Sequence, residues 1–325
     1  MTRRYVLSAL MLSLAIVGTA SAQMRFGPAI SAPPAPPSRQ NQPSPFPPLR
    51  IPEAPPGWHT NPNPAPASKD FSVHDQELKR LRVLMLIDTN DKLATNFTVS
   101  ERFMKAILSN GIPASRLDIT VLRGDDATPR KVLDYYRNLQ TGPEEAVLFY
   151  YAGHGAIDRA RGAKPAWARG HYLALNAGTL YRSDVYDAIK AKNPGLTIIL
   201  TDCCSADVPA RPADYTTTDD GAPTVAPPRE LSHLCRCLFF RHRGVVDRTA
   251  AWDGTCGYSD AGIGNWYTAA ITRMFAAPQQ WVPDSGRSFA GWDSFDKHVG
   301  WAMVQTIVSR GHKLAQMPCG FTHAP

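Results

Sequence analysis

The residues of this chain best suited to act together are a histidine between two glycines, Gly153-His154-Gly155, and a cysteine pair, Cys203-Cys204, flanked by Asp202 and Ser205. A thiolate is a strong nucleophile near neutral pH. An imidazole can hand a proton to a leaving group and later draw one from water. Such a pair suits acyl transfer. Each string follows an apolar run of the kind buried parallel strands show, 146–151 before the histidine and 196–200 before the cysteines. Parallel neighbours end on the same edge of a sheet, so both strings reach the carboxyl edge, where open α/β sheets place their sites.

Local geometry narrows the choice. Glycine on either side of His154 lets the backbone approach a ligand closely. Side chains alternate along an extended segment, so only one of Cys203 and Cys204 can meet His154.

The positioning elements alternate strand and helix. A first strand at 82–87 runs into a loop with Asp88 and Asp91, and Thr98 or Ser100 can cap a helix carrying Phe103, Ile107 and Leu108 up to Gly111. A strand at 117–122 is followed by Thr128 and Pro129, a helix start, and by the stripe Val132, Tyr135, Tyr136 and Leu139. Tyr181, Val185, Ala188 and Ile189 mark the helix before the cysteine strand. Beyond the cysteines come a strand at 243–249, a glycine-rich turn at 254–264, a helix at 266–275, and a last helix with Val299, Met303 and Ile307. This order predicts an α/β fold, a three-layer α-β-α sandwich with a mostly parallel central sheet.

Arg3 and Arg4, the apolar stretch 6–17 and the small residues Ala20-Ser21-Ala22 make 1–22 a secretory signal peptide, its apolar core too short to span a bilayer. That predicts a secreted or periplasmic protein. Residues 23–70 are dense in proline with few large apolar side chains and read as an extended tether, leaving 71–325 as one domain. The formal charge is +7, but no dense basic stripe accompanies it, which argues against a nucleic-acid partner. No other segment is long and apolar enough to cross a membrane. Of six cysteines, Cys235, Cys237, Cys256 and Cys319 are available for disulfides in an exported chain. His233 and His242 beside Cys235 and Cys237 suggest zinc, but the one-residue gap between the cysteines falls short of the usual ligand spacing, and no metal ligand is assigned. The stretch 206–230 has no periodicity and reads as a long exposed loop.

With these residues in place the chain resembles the caspase-like cysteine peptidases, and among them the bacterial metacaspase type. Tyr151-Ala152-Gly153-His154-Gly155 is similar to the family's histidine motif and Asp202-Cys203-Cys204-Ser205 to the metacaspase form of its cysteine motif. The separation, 204 − 154 = 50, agrees with the spacing of about 50 residues in caspases. Gly244-Val245-Val246-Asp247 and Gly264-Asn265-Trp266-Tyr267 are similar to the strand and helix of the family's smaller subunit region. The resemblance implies a cysteine endopeptidase acting on protein or peptide substrates, with Cys204 as nucleophile and His154 as its partner. It also implies an oxyanion hole from the N–H groups of Gly155 and Cys204, and a P1 pocket lined by Asp202 that selects arginine or lysine. A second family acid lies on the first helix, where Glu101 is the nearest match. No cofactor is implied, and calcium dependence stays open. The family's string continues His-Ser-Gly, where this chain has Ser205-Ala206-Asp207. Peptidases of the legumain or clostripain type and a non-catalytic caspase-like binding domain are the alternatives. Cleavage within the long loop, after Arg229 or Arg211, would match the maturation of caspase relatives.

Overall fold

Alternation along the apolar strands builds the protein around one sheet. The computed structural model describes residues 76–90, 92–161, 170–206, 232–251, 254–260, 262–276, 291–309, 316 and 318–323. By internal contacts the chain divides into Met1–Trp58 and His59–Pro325, and every described residue belongs to the second unit. Residues 1–22 and 23–70, expected as signal peptide and tether, together with Asp91 and the loop positions Arg211 and Arg229, lie outside the described residues.

Strands β1 (Arg80–Ile87), β2 (Leu117–Arg123), β3 (Glu145–Ala152), β7 (Leu196–Asp202) and β8 (Gly244–Thr249) pair in parallel, and β11 (Cys319–His323) closes one edge antiparallel to β8. The spatial order is β11-β8-β7-β3-β1-β2. Because successive side chains point to opposite faces, each strand feeds two cores. Val83, Met85, Leu148, Tyr150, Ile198 and Leu200 enter one cluster, packed by α1 (Ala94–Gly111), the short α4 (His233–Cys235), α5 (Trp266–Ala276) and α6 (Trp292–Ser309). Leu84, Leu86, Val147, Phe149, Tyr151 and Ile199 enter the other, packed by α2 (Pro129–Asn138) and α3 (Arg182–Lys190). Helices on both faces of a mostly parallel sheet make the expected three layers.

Helix starts are legible only where a cap is present. Thr128 accepts from the Lys131 N–H at 3.2 Å and Pro129 opens α2, as its sequence dictates. By contrast α1 begins at Ala94 without a side-chain cap, well before Thr98 and Ser100. Both hydroxyls lie inside the helix and donate to carbonyls four residues back. Ile107 and Leu108 are buried as expected, with Phe97 and Met104 beside them, whereas Phe103 is only half-buried.

Two further elements escape the sequence pattern. β4 (His154–Ile157), β5 (His171–Leu175) and β6 (Gly178–Tyr181) form a small antiparallel sheet in chain order, so Tyr181 ends a strand and α3 begins one residue later. The glycine-rich turn holds a two-residue ladder, β9 (Ser259–Asp260) with β10 (Gly264–Asn265). A buried arginine binds β8 to its flank: Arg248 pairs with Asp296 and Asp293 of α6 and donates to Thr322 of β11.

Candidate active site

The carboxyl ends of β3 and β7 are neighbours, with Ala152 opposite Asp202 in their register. One step later the chain turns, and the Gly153 N–H still donates to the Asp202 carbonyl at 3.4 Å, tying the histidine string to the cysteine string. Gly153 has no room for a side chain, since a Cβ there would lie 2.3 Å from the Tyr151 hydroxyl oxygen and 2.8 Å from the Asp88 Cβ. The same Tyr151 hydroxyl donates to the His154 carbonyl at 2.7 Å and fixes the start of β4.

A small pocket opens at this junction. His154, Asp202, Cys203 and Cys204 line it together with Phe97 of α1 and Tyr258 of the glycine-rich turn. The His154 ring stands edge-on to Phe97 with centroids 5.5 Å apart, a contact that sets its plane. Cys204 is 5% exposed and His154 half-buried, so the pair lies within a narrow cleft instead of on an open edge.

Cys203 borders the cleft, but its side chain packs into the core beneath α2 and α3. Its sulfur lies 3.4 Å from Nε2 of His171, and burial pushes its thiol up to about 12. His171 is fully buried, and burial, with the Arg182 guanidinium beside it, pushes the imidazole down to about 3. It is neutral at physiological pH. Arg182 donates to Nδ1 at 3.2 Å, so Nε2 carries the proton and donates to the Cys204 carbonyl at 2.9 Å. Arg182 in turn is ion-paired with Asp247 of β8. The Cys204 thiol is also pushed well above its ordinary value, by the Cys256 thiol beside it and by burial, so geometry separates the two pairs. His171 is committed to the Cys204 carbonyl and Cys203 packs into the core, which suits a support, while His154 and Cys204 line the pocket. Strand-end reasoning passes over His171 because it follows no parallel strand; the small antiparallel sheet brings it under the cysteines.

A cysteine and a histidine converging at the carboxyl edge of this sheet, on a chain whose residues 100–324 match the caspase domain model, decide the family. This chain belongs to the caspase domain family. Caspase-1 of Spodoptera frugiperda is a solved structure with 10% identity, 79% of this chain and 90% of that chain covered, and a TM-score of 0.47. A Geobacter sulfurreducens protein gives 13% identity, 76% and 94% coverage, and a TM-score of 0.41. No curated protein matches the chain.

Within this caspase domain, Gly155 presses on the cysteine segment: a Cβ there would fall 2.7 Å from the Cys203 sulfur and 2.9 Å from the Cys204 carbonyl oxygen. Asp202 is buried at the pocket wall and accepts from the Thr268 N–H at 2.9 Å and the Thr268 hydroxyl at 2.6 Å. Burial raises its carboxyl to about 7 against those hydrogen bonds. Thr268 and Asn265, whose amide donates to the Asp202 carbonyl at 3.0 Å, carry no site signal in the sequence beyond the start of a helix after glycine. Glu101 is buried on α1, where Arg123 and Lys105 hold its carboxylate below the usual range despite burial. It is not among the described residues lining the pocket.

The expectation of disulfides among Cys235, Cys237, Cys256 and Cys319 is corrected for the first three, the side chain of Cys319 lying outside the described residues. Cys235, Cys237 and Cys256 are free thiols, as are Cys203 and Cys204. Cys235 ends the helical turn α4 and Cys237 follows on the π-helix Arg236–Phe240, which leaves both packed in the core under β1. Among the described residues no group of three His, Cys, Asp or Glu side chains is placed to hold a metal, and no helix is long and apolar enough to cross a membrane.

Proposed function

We propose that this caspase domain is a secreted or periplasmic cysteine endopeptidase that cleaves after arginine or lysine, with Cys204 as nucleophile and His154 as acid and base. The observation that carries the proposal is the shared pocket of His154, Cys204 and Asp202 at the ends of two adjacent parallel strands. In the reaction, His154 takes the Cys204 thiol proton as the sulfur attacks the scissile carbonyl, and gives that proton to the leaving amine as the C–N bond breaks. His154 then takes a proton from the water that attacks the acyl group and returns it to the Cys204 sulfur as the thioester bond breaks. The N–H groups of Gly155 and Cys204 are the donors assigned to the oxyanion, with Gly155 held against the cysteine segment by the absence of a side chain. Hydrolysis along this route consumes only water and needs no cofactor.

Asp202 supplies the preference for a cation at P1. A carboxylate in a dry wall is costly when alone and gains strongly from a guanidinium or ammonium brought to it. Substrate binding would therefore draw the Asp202 proton off. Export follows from residues 1–22, and residues 23–70 serve as the tether that separates the peptidase from its point of exit.

The test is a panel of fluorogenic peptides with Arg, Lys, Asp or Asn at P1, run on the wild type and Cys204→Ala. Cleavage of the Arg and Lys peptides, absent in the variant, is the expected result. Cleavage after Asn would move the protein to the legumain type, and no cleavage of any peptide would favour a binding domain.

A further inference from the structure

Cys256 sits opposite the nucleophile. The Ser205 N–H donates to the Thr255 carbonyl at 2.9 Å, and the Gly254 N–H donates to the Ser205 carbonyl at 2.8 Å. Two residues back, a Cβ on Gly257 would lie 3.2 Å from the Cys203 carbonyl carbon. The two segments therefore run antiparallel, with Ser205 facing Thr255 and Cys203 facing Gly257. Cys204 must face Cys256. Residues directly opposed in this way have Cα atoms roughly 4.5–5.5 Å apart and side chains on the same side, within the span a disulfide bridges. The Cys204 sulfur reaches within 3.8 Å of the Gly257 carbonyl oxygen, and the Cys204 and Cys256 thiols hydrogen-bond to each other. Cys203 points into the opposite core and is no competitor.

Resting on the reading of Cys204 as nucleophile, we infer that Cys256 is a resolving cysteine: peroxide links it to Cys204 in a reversible disulfide that shuts the peptidase off. Cys256 is partly exposed, whereas Cys204 is buried, so peroxide meets Cys256 first. The hydrogen bond from Cys204 also lowers the Cys256 thiol to about 7, which supplies the reactive thiolate. Its sulfur attacks one peroxide oxygen; the S–O bond forms, the O–O bond breaks, and hydroxide leaves to take up a proton. Cys204 then attacks the Cys256 sulfur and releases its proton; the S–S bond forms, the S–O bond breaks, and water departs. Two thiols and one hydrogen peroxide yield one disulfide and two waters. The linked Cys204 cannot attack a peptide and is sheltered from irreversible oxidation to the sulfinic acid. An external thiol reductant restores both sulfhydryls.

The experiment starts from the reduced full chain, titrated with hydrogen peroxide, quenched by alkylation, digested without reductant and mapped by mass spectrometry, with peptide cleavage followed in parallel. The expected result is a Cys204–Cys256 linked peptide that appears as activity falls and vanishes, with activity regained, on adding dithiothreitol. Cys256→Ser and Cys256→Ala should give no link and should instead carry Cys204 forward to sulfinic acid at the same peroxide dose. A wild-type Cys204 that goes to sulfinic acid without a link, or that links to another cysteine, overturns the inference. The mapping needs no turnover. A link in a chain that cleaves nothing would sink the peptidase reading and keep the cysteine pairing, while cleavage without a link would do the reverse.

Discussion

Replacing Asp202 by asparagine should separate stability from specificity. The Asp202 carboxyl is fully buried, and desolvation outweighs the two Thr268 hydrogen bonds to set it at about 7, against an ordinary value of 3.8. Well below pH 3.8 both folded and unfolded chains hold the proton, so the group costs nothing. As pH rises toward 7 the unfolded chain ionises first and is favoured, so the wild type loses stability across that window and loses no more above it. The full displacement corresponds to about 4 kcal/mol as an upper bound, at roughly 1.4 kcal/mol per tenfold change in proton affinity. The amide of the Asp202→Asn variant never ionises and escapes that loss, while its oxygen can still accept from Thr268. The stability of Asp202→Asn relative to wild type should therefore climb by about 2–4 kcal/mol between pH 4 and pH 8. Urea unfolding at several pH values reads this directly. In the same variant, kcat/KM for Arg and Lys peptides should fall by about 10- to 100-fold, since a charge-assisted pair worth about 1.5–3 kcal/mol is gone. A relative stability that stays flat from pH 4 to 8 would refute the buried-carboxyl argument, and an unchanged P1 profile would place the specificity acid elsewhere.

Gly155→Ala should cut kcat by about 100-fold with a modest change in melting temperature, because its methyl can be housed only by moving the cysteine segment; full activity would show that Gly155 does not position Cys204. Asp247→Ala leaves the buried Arg182 without its carboxylate and should cost about 3–5 kcal/mol in urea unfolding. Incubating the purified chain and mapping new amino termini should reveal self-cleavage after Arg229 in preference to Arg211, which precedes Pro212. A chain that stays intact while it cleaves peptides would show that maturation is not required.

The fold is readable because the parallel strands are apolar on both faces, and 146–151 and 196–200 have no other stable use than the middle of a covered sheet. Thr128-Pro129 names its own helix start by cap chemistry. The start of α1 is hidden because Leu93 and Ala94 carry no capping signal, and the hydroxyls that look like caps bond backward inside the helix. The small sheet is hard to see because its strands are four or five residues long, and the turn that folds β6 onto β5 rests on Gly178, whose φ of 126° no pattern announces. The two motif strings converge in one pocket, as strand-end reasoning requires. What that reasoning cannot supply is the underside of the site, His171 and Arg182, or the facing Cys256. His171 lies on β5, where burial alternates but the residues His-Tyr-Leu-Ala-Leu do not announce it, Arg182 opens a helix without a cap, and Cys256 faces Cys204 only through a pairing distant in sequence.

The central claim is that Cys204, and not its neighbour, is the nucleophile. Incubating the reduced protein with a peptide ending in an arginyl acyloxymethyl ketone and mapping the modified residue tests it most directly. A single adduct on Cys204 is expected, lost in His154→Ala and retained in Cys203→Ala. An adduct on Cys203, or full peptide cleavage by Cys204→Ala, would contradict it.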